Sequence, residues 1–153
     1  TVYIPILVIA VLVFLLLKKW YAEAIFITID VALMPILVFI FKHVYGRTRP
    51  TLPHLVVENG LSFPSGHASA SLMFYACLMV LICQRLNNQQ MKWLVRVLFS
   101  MFIVVIGISR IYLGVHYPTD ILGGWLMSGS ILLITYPIYD EVRFKWRFKG
   151  VQK

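Results

Sequence analysis

The chain has 153 residues, 60% of them apolar and 13% charged, with 14 Lys and Arg against 6 Asp and Glu and a formal net charge of +8. So greasy a composition points to one helical membrane domain over residues 1–153, with no linker, repeat or low-complexity tract to divide it. A surplus of this size in a soluble protein would suit nucleic acid, but here membrane topology accounts for it and nucleic-acid binding is set aside.

Five apolar runs follow in chain order: Val2 to Leu17, Ala24 to Phe41, Ala68 to Cys83, Val97 to Ile108 with its flanks, and Ile121 to Tyr139. With flanks each approaches the ~17–25 residues that carry a helix across a bilayer. The predicted fold is therefore all-α, a polytopic transmembrane helix bundle of five spans. Because the first residue is Thr1 and the first run starts at once, a processed chain or a missing N-terminal portion, such as another span, is expected. Lys18 and Lys19 follow that run instead of preceding it, the reverse of a signal peptide.

Within the spans, few polar residues stand out. Asp30 lies in the middle of span two, ahead of Pro35, and an acidic residue at that depth reads by default as functional. A hydrogen-bonded role inside the bundle is expected, some turns below the polar clusters. Cys77 and Cys83 lie six apart in one predicted helix and point in different directions, which forbids a mutual disulfide. Gly123, Gly124, Ser128, Gly129 and Ser130 read as a close-packing face of span five.

The remaining polar residues gather at span ends in three clusters. Lys42 to Arg49-Pro50 closes span two, Pro64-Ser65-Gly66-His67 opens span three, and Ser109-Arg110 through His116 to Asp120 joins spans four and five. By parity of crossings all three emerge on one face. Ten basic residues belong to the other face or near it: Lys18, Lys19, Arg85, Lys92, Arg96, Arg143, Lys145, Arg147, Lys149 and Lys153. The positive-inside rule makes that face cytoplasmic and turns the clusters outward, to the extracytoplasmic side. Cations, a helix N-terminus and two imidazoles on one face are what phosphoryl transfer without a metal needs.

The pattern Lys42-x6-Arg49-Pro50, Pro64-Ser65-Gly66-His67 and Ser109-Arg110-x5-His116-x3-Asp120 resembles the three-part signature of the type 2 phosphatidic acid phosphatase superfamily, which also includes vanadium haloperoxidases and glucose-6-phosphatase. The match is complete at every fixed position and spans residues 42 to 120. Any one motif is weak evidence, but three in order on one membrane face are specific. The resemblance implies an integral membrane lipid phosphatase that uses no cofactor. Its membrane branch usually has six spans, one more than the five counted here, in keeping with a missing N-terminal span. The compact size suggests a bacterial plasma-membrane enzyme. Phosphatidylglycerophosphate, slightly ahead of undecaprenyl diphosphate, is the leading substrate by resemblance.

Each residue also has a physical reading. His116 is the candidate nucleophile, since a neutral imidazole can attack phosphorus to give a phosphohistidine that water hydrolyses. Asp120 is its orienter: Pro118 suits the first turn of span five, so His116 lies just before that helix and Asp120 just inside it, within reach of the ring N–H. Taken alone, His-x3-Asp would read as a helix-start Asp with an interfacial His. His67 is the candidate general acid. The backbone N–H groups of Ser65, Gly66 and His67 are expected to point at a phosphate, although Ser65 also suits a plain helix cap.

Lys42, Arg49 and Arg110 supply charge for three phosphoryl oxygens; singly, each would read as an interfacial basic residue. Arg47 has no place in the signature and reads as an accessory phosphate or headgroup contact. His43 and His54 read as interfacial polar residues. No metal is expected, because the motif face offers only Asp120, already assigned, and one spare carboxylate, Glu58. The connection Thr51 to Phe63 is apolar enough to rest on the bilayer interface and admit a lipid phosphate sideways from the membrane lipids; packing over the bundle mouth explains it equally well. A transporter and a catalytically silent lipid-binding protein remain the readings from other classes.

Overall fold

The computed structural model describes residues 3–51 and 53–152, so Val2 of the first predicted run, Leu52 of the apolar connection and the basic residue Lys153 lie outside the described residues. All five apolar runs are helical: α1 (Tyr3–Leu17), α2 (Tyr21–Tyr45), α3 (Gly66–Cys83), α4 (Gln89–Tyr112) and α5 (Pro118–Phe148). No strand occurs among the described residues.

The helix ends follow from local chemistry. Gly46, left-handed at φ 59°, stops α2 and returns its N–H to the Lys42 carbonyl, a conformation that is inexpensive only without a Cβ. Ser65 caps α3 and Asn88 caps α4 through their side-chain oxygens, each satisfying an N–H with no partner inside the helix. Pro118 opens α5, where its missing N–H costs nothing.

Helices α2, α3, α4 and α5, at 25, 18, 24 and 31 residues, are long and apolar enough to cross a membrane. Helix α1 is apolar but has 15 residues, a rise of about 22 Å against a hydrocarbon core of about 30 Å. It is thus shorter than a predicted span. Helix α5 runs through Pro137 and past the predicted Tyr139 to Phe148.

Helix α3 is the centre of the bundle, packing against α2, α4 and α5, while α1 packs on α2. Small residues bring the helices together. A Cβ at Gly107 of α4 would lie 2.4 Å from the Trp125 ring, and one at Gly124 of α5 would lie 2.7 Å from Ser69 Oγ. Ser128 donates to the Ser69 carbonyl at 2.9 Å. The predicted small-residue face therefore holds at Gly123, Gly124 and Ser128. It fails at Gly129, which has open space around it, and at Ser130, which is exposed, because both turn away from α3. Helix α4 buries only Gly107, and Val97, Met101, Val104, Val105 and Ile108 face outward, as lipid contact requires.

Buried carboxylates are engaged at two levels, each through one of its two oxygens. In mid-bundle, Asp30 accepts from Thr135 Oγ1 at 3.0 Å and lies 3.7 Å from Cys77 Sγ, so the expected hydrogen-bonded role holds. At the end opposite the motifs, fully buried Glu23 meets Arg85 at 2.7 Å, Arg143 at 3.4 Å and Arg147 at 3.6 Å. The Gln152 side chain accepts from the Ala22 N–H at 2.8 Å. A buried carboxylate is stable only with such partners, and these pull the start of α2 and the ends of α3 and α5 onto one face. The α2–α3 and α4–α5 connections are thereby left together on the other.

Candidate active site

His116 and Asp120 sit where α4 gives way to α5. Asp120, in the first turn of α5, is fully buried and its Oδ2 lies 3.3 Å from His116 Nδ1. The same oxygen accepts the Tyr117 N–H at 2.9 Å and the Ser62 hydroxyl, while Arg47 holds Oδ1 at 3.0 Å. An acceptor-only carboxylate so placed requires the proton of His116 on Nδ1. Nε2 is then the unprotonated nitrogen, and it faces Arg49 Nη1 at 3.4 Å.

The second cluster is fastened to the third. The Ser65 N–H donates to the Asp120 carbonyl at 3.0 Å, and its hydroxyl caps the Ala68 N–H. Ser65 is therefore spent on structure, which corrects the expectation that its amide points at phosphate. The Gly66 and His67 amides, in the first turn of α3, have no intrahelical acceptor, and both residues line the cavity of this site.

Lys42, in the last turn of α2, donates to the Leu61 carbonyl. Arg49 donates to the carbonyls of Val115 at 3.0 Å, Gly60 at 3.1 Å and Asn59 at 3.2 Å. Lys42, Arg49, Gly66, His67 and His116 line one cavity of about 620 Å³, which continues along Val31, Pro35 and Ala70 between α2 and α3. Arg110 reaches this group through Glu58, whose carboxylate is 3.8 Å away. His54 bonds the Pro50 carbonyl and takes no part. His43 bonds the Phe39 carbonyl, although it borders the cavity.

Three residues have larger roles here than their sequence positions announce. Arg47 is not free for a headgroup: it pairs with Asp120, bonds Thr119 Oγ1 at 2.6 Å and lies over the Tyr117 ring. Ser62, buried and bonded to Asp120, is a lone Ser in a connection and carries no motif to mark it. Glu58 lies between Arg49 and Arg110 and close to His67.

The pattern of the PAP2 superfamily matches residues 6–144. The chain belongs to that superfamily. Among its PAP2 relatives, phosphatidylglycerophosphatase B of Bacillus subtilis is 34% identical over 111 residues, 72% of this chain and 54% of the relative. Undecaprenyl-diphosphatase of Sulfolobus acidocaldarius is 28% identical over 130 residues, 81% of this chain and 59% of the relative. The chain thus spans a little over half the length of these relatives. In fold it matches the crystal structure of a transmembrane PAP2-type phosphatidylglycerolphosphate phosphatase from Bacillus subtilis at a TM-score of 0.85 and 24% identity, covering 93% of this chain and 71% of that one. Aquifex aeolicus LpxE matches at a TM-score of 0.67 and 22% identity, over 84% of this chain and 75% of that one.

In this PAP2 site the charge state of His116 follows from its surroundings. Burial, and next the Arg49 guanidinium, push its pKa from 6.5 down to about 4 against the opposing pull of Asp120. A lowered imidazolium pKa means a neutral ring over the whole neutral range. In ¹⁵N-histidine NMR of the protein in detergent, the His116 ring should keep its proton on Nδ1 and stay neutral on acidification until pH approaches about 4. Protonation at an ordinary histidine pKa of about 6.5 would contradict this environment.

Proposed function

We propose that this chain is a membrane lipid phosphatase that removes a terminal phosphate from a lipid phosphate monoester or diphosphate at the extracytoplasmic face. The observation that carries the reading is the shared cavity: a neutral His116 with Asp120 behind it, His67 and the cations Lys42 and Arg49 meet in one space. That space opens along apolar side chains of α2 and α3, where a lipid chain would lie.

In this mechanism Nε2 of His116 attacks phosphorus in line with the leaving oxygen. The N–P bond forms as the P–O bond to the lipid oxygen breaks, and His67, which has to enter as imidazolium against the burial and the Arg110 charge that lower its pKa, gives the departing oxygen its proton. Asp120 stabilises the ring as its positive charge grows. Arg49, Arg110, Lys42 and the Gly66 and His67 amides stabilise the equatorial oxygens. Water then attacks the phosphohistidine, with His67 now taking its proton, and free phosphate and neutral His116 result. The proposed mechanism uses no divalent ion, a reading supported by the donor set: near the nucleophile the carboxylates are Asp120, held by His116, and Glu58, and among the described residues no group of three His, Cys, Asp or Glu is placed to hold a metal.

Phosphatidylglycerophosphate is the substrate we favour, on the strength of the 34% identity to the Bacillus relative. Undecaprenyl diphosphate is second, supported by the relative from Sulfolobus; both present a terminal phosphate to the same cradle. The outward orientation rests on the basic cluster at the other end, where Arg85, Arg143 and Arg147 gather with neighbouring lysines.

Two experiments test the reading. In excess chelator, wild type should release phosphate from lipid phosphates and from nitrophenyl phosphate, whereas His116→Ala should be inactive on both. His67→Ala should lose roughly 10²–10⁴-fold on the lipid alkoxide and far less on nitrophenyl phosphate, whose leaving group needs no proton. Equal losses for His67→Ala on the two substrates would remove it from the acid role, and dependence on an added divalent ion would end the metal-free mechanism. For orientation, Val57→Cys and Asn87→Cys, both at exposed positions, would be compared in a Cys77→Ala, Cys83→Ala background. An impermeant thiol reagent should label only the former on intact cells, and the reverse pattern would place the site in the cytoplasm.

A further inference from the structure

The phosphate cradle already has an occupant, supplied by the chain itself. Glu58 Oε2 lies 3.4 Å from Arg49 Nη2, and Oε1 lies 3.8 Å from Arg110 Nη1 and 3.9 Å from His67 Nδ1. The first distance is a long hydrogen bond; the others are charge contacts without one. The next three residues add their carbonyls, with Asn59 and Gly60 accepting from Arg49 at 3.2 and 3.1 Å and Leu61 accepting from Lys42. Gly60, at φ 81°, makes the turn that aims these oxygens inward. One four-residue segment thus presents a carboxylate and three carbonyl oxygens to Lys42, Arg49 and Arg110, the donors that a phosphate would use.

We propose that Glu58 is a built-in competitor for the phosphate cradle, which an incoming anion must displace, and that it thereby sets which lipid headgroups the site can hold. The proposal rests on the reading of this cavity as a phosphate site. It follows from charge and geometry: a phosphate placed between Arg49 and Arg110 would meet the Glu58 carboxylate head-on, and two anions cannot share the same cations at that distance without mutual repulsion. The carboxylate is partly exposed, 26% by side chain, so it has a route out to water.

Displacement weakens every anion by the same factor, and the consequence differs between headgroups. A phosphodiester headgroup, one charge and two free oxygens, surrounds the site at bilayer concentration. A terminal phosphate offers up to two charges and three free oxygens. With the competitor in place the diester, which has the weaker hold on the cations, is the first to lose occupancy, although the ratio of the two affinities is unchanged. Without it, ordinary membrane phospholipids would fill a site of three cations at the interface.

The test is calorimetric titration of the full chain in detergent with inorganic phosphate and with dimethyl phosphate, a diester monoanion, and it does not depend on turnover. Glu58→Gln and Glu58→Ala should each bind both anions about 10-fold more tightly than wild type, equivalent to about 1.4 kcal/mol, and by a common factor. Unchanged or weaker binding would overturn the proposal. So would unequal gains, since a larger gain for inorganic phosphate means that Glu58 stays beside the bound anion. If none of the proteins bound either anion, the phosphate-site reading would fail and take this proposal with it. An independent reporter is Asn59→Cys in the Cys77→Ala, Cys83→Ala background, which should react faster with a thiol reagent at saturating phosphate as the segment leaves. A rate insensitive to phosphate would again contradict displacement.

Discussion

Asp120 is the residue on which the rest of the site depends. Its Oδ2 faces the His116 ring and takes the Ser62 hydroxyl and the Tyr117 N–H, its Oδ1 takes Arg47, and its backbone carbonyl takes the Ser65 N–H. One residue therefore joins the start of α5, the start of α3 and the connection that follows α2. A fully buried carboxylate is unfavourable unless every lone pair is engaged, and engaging them fixes the His116 tautomer, the height of the α3 N-terminus and the position of Arg47 together. Catalytic geometry and the fold at this end of the bundle are consequences of the same set of hydrogen bonds.

The other end of the bundle solves a similar problem with different residues. Glu23 among Arg85, Arg143 and Arg147 gathers helix ends much as Asp120 does, but it has no cavity and no histidine. Between them the helices meet through Gly107, Gly124 and Ser128, where the absence or small size of a side chain allows close approach. Helix α4 fully buries only Gly107, yet it packs chiefly on α3, where the Tyr75 ring meets Phe99 and Phe102. Association of this kind relies on packing and hydrogen bonds, because lipid removes the hydrophobic drive between helices.

Much of this was legible in the sequence, for identifiable reasons. Apolar runs bounded by charges located the five helices, since a bilayer tolerates few alternatives, and crossing parity put the three motifs on one face. Asp30 was readable because a membrane-depth acid needs a partner. Ser65 was misread in part: an N-cap and an anion-binding turn look alike in sequence, and only the Asp120 carbonyl separates them. Arg47, Ser62 and Glu58 escaped because their roles arise from contacts across 73, 58 and 9 residues of chain, and no local spacing records such pairings.

At the centre of the account is a bond from His116 Nε2 to phosphorus inside a cradle of Arg49, Arg110, Lys42 and two α3 amides. Vanadate takes up the five-coordinate geometry of a phosphoryl group in transfer and tests that claim most directly. A crystal structure of the protein with vanadate should place vanadium within bonding distance of His116 Nε2, its apical oxygen towards His67, and the Glu58 carboxylate withdrawn from Arg49 and Arg110. Vanadium bonded to His67, or held with no bond to His116, would contradict the account.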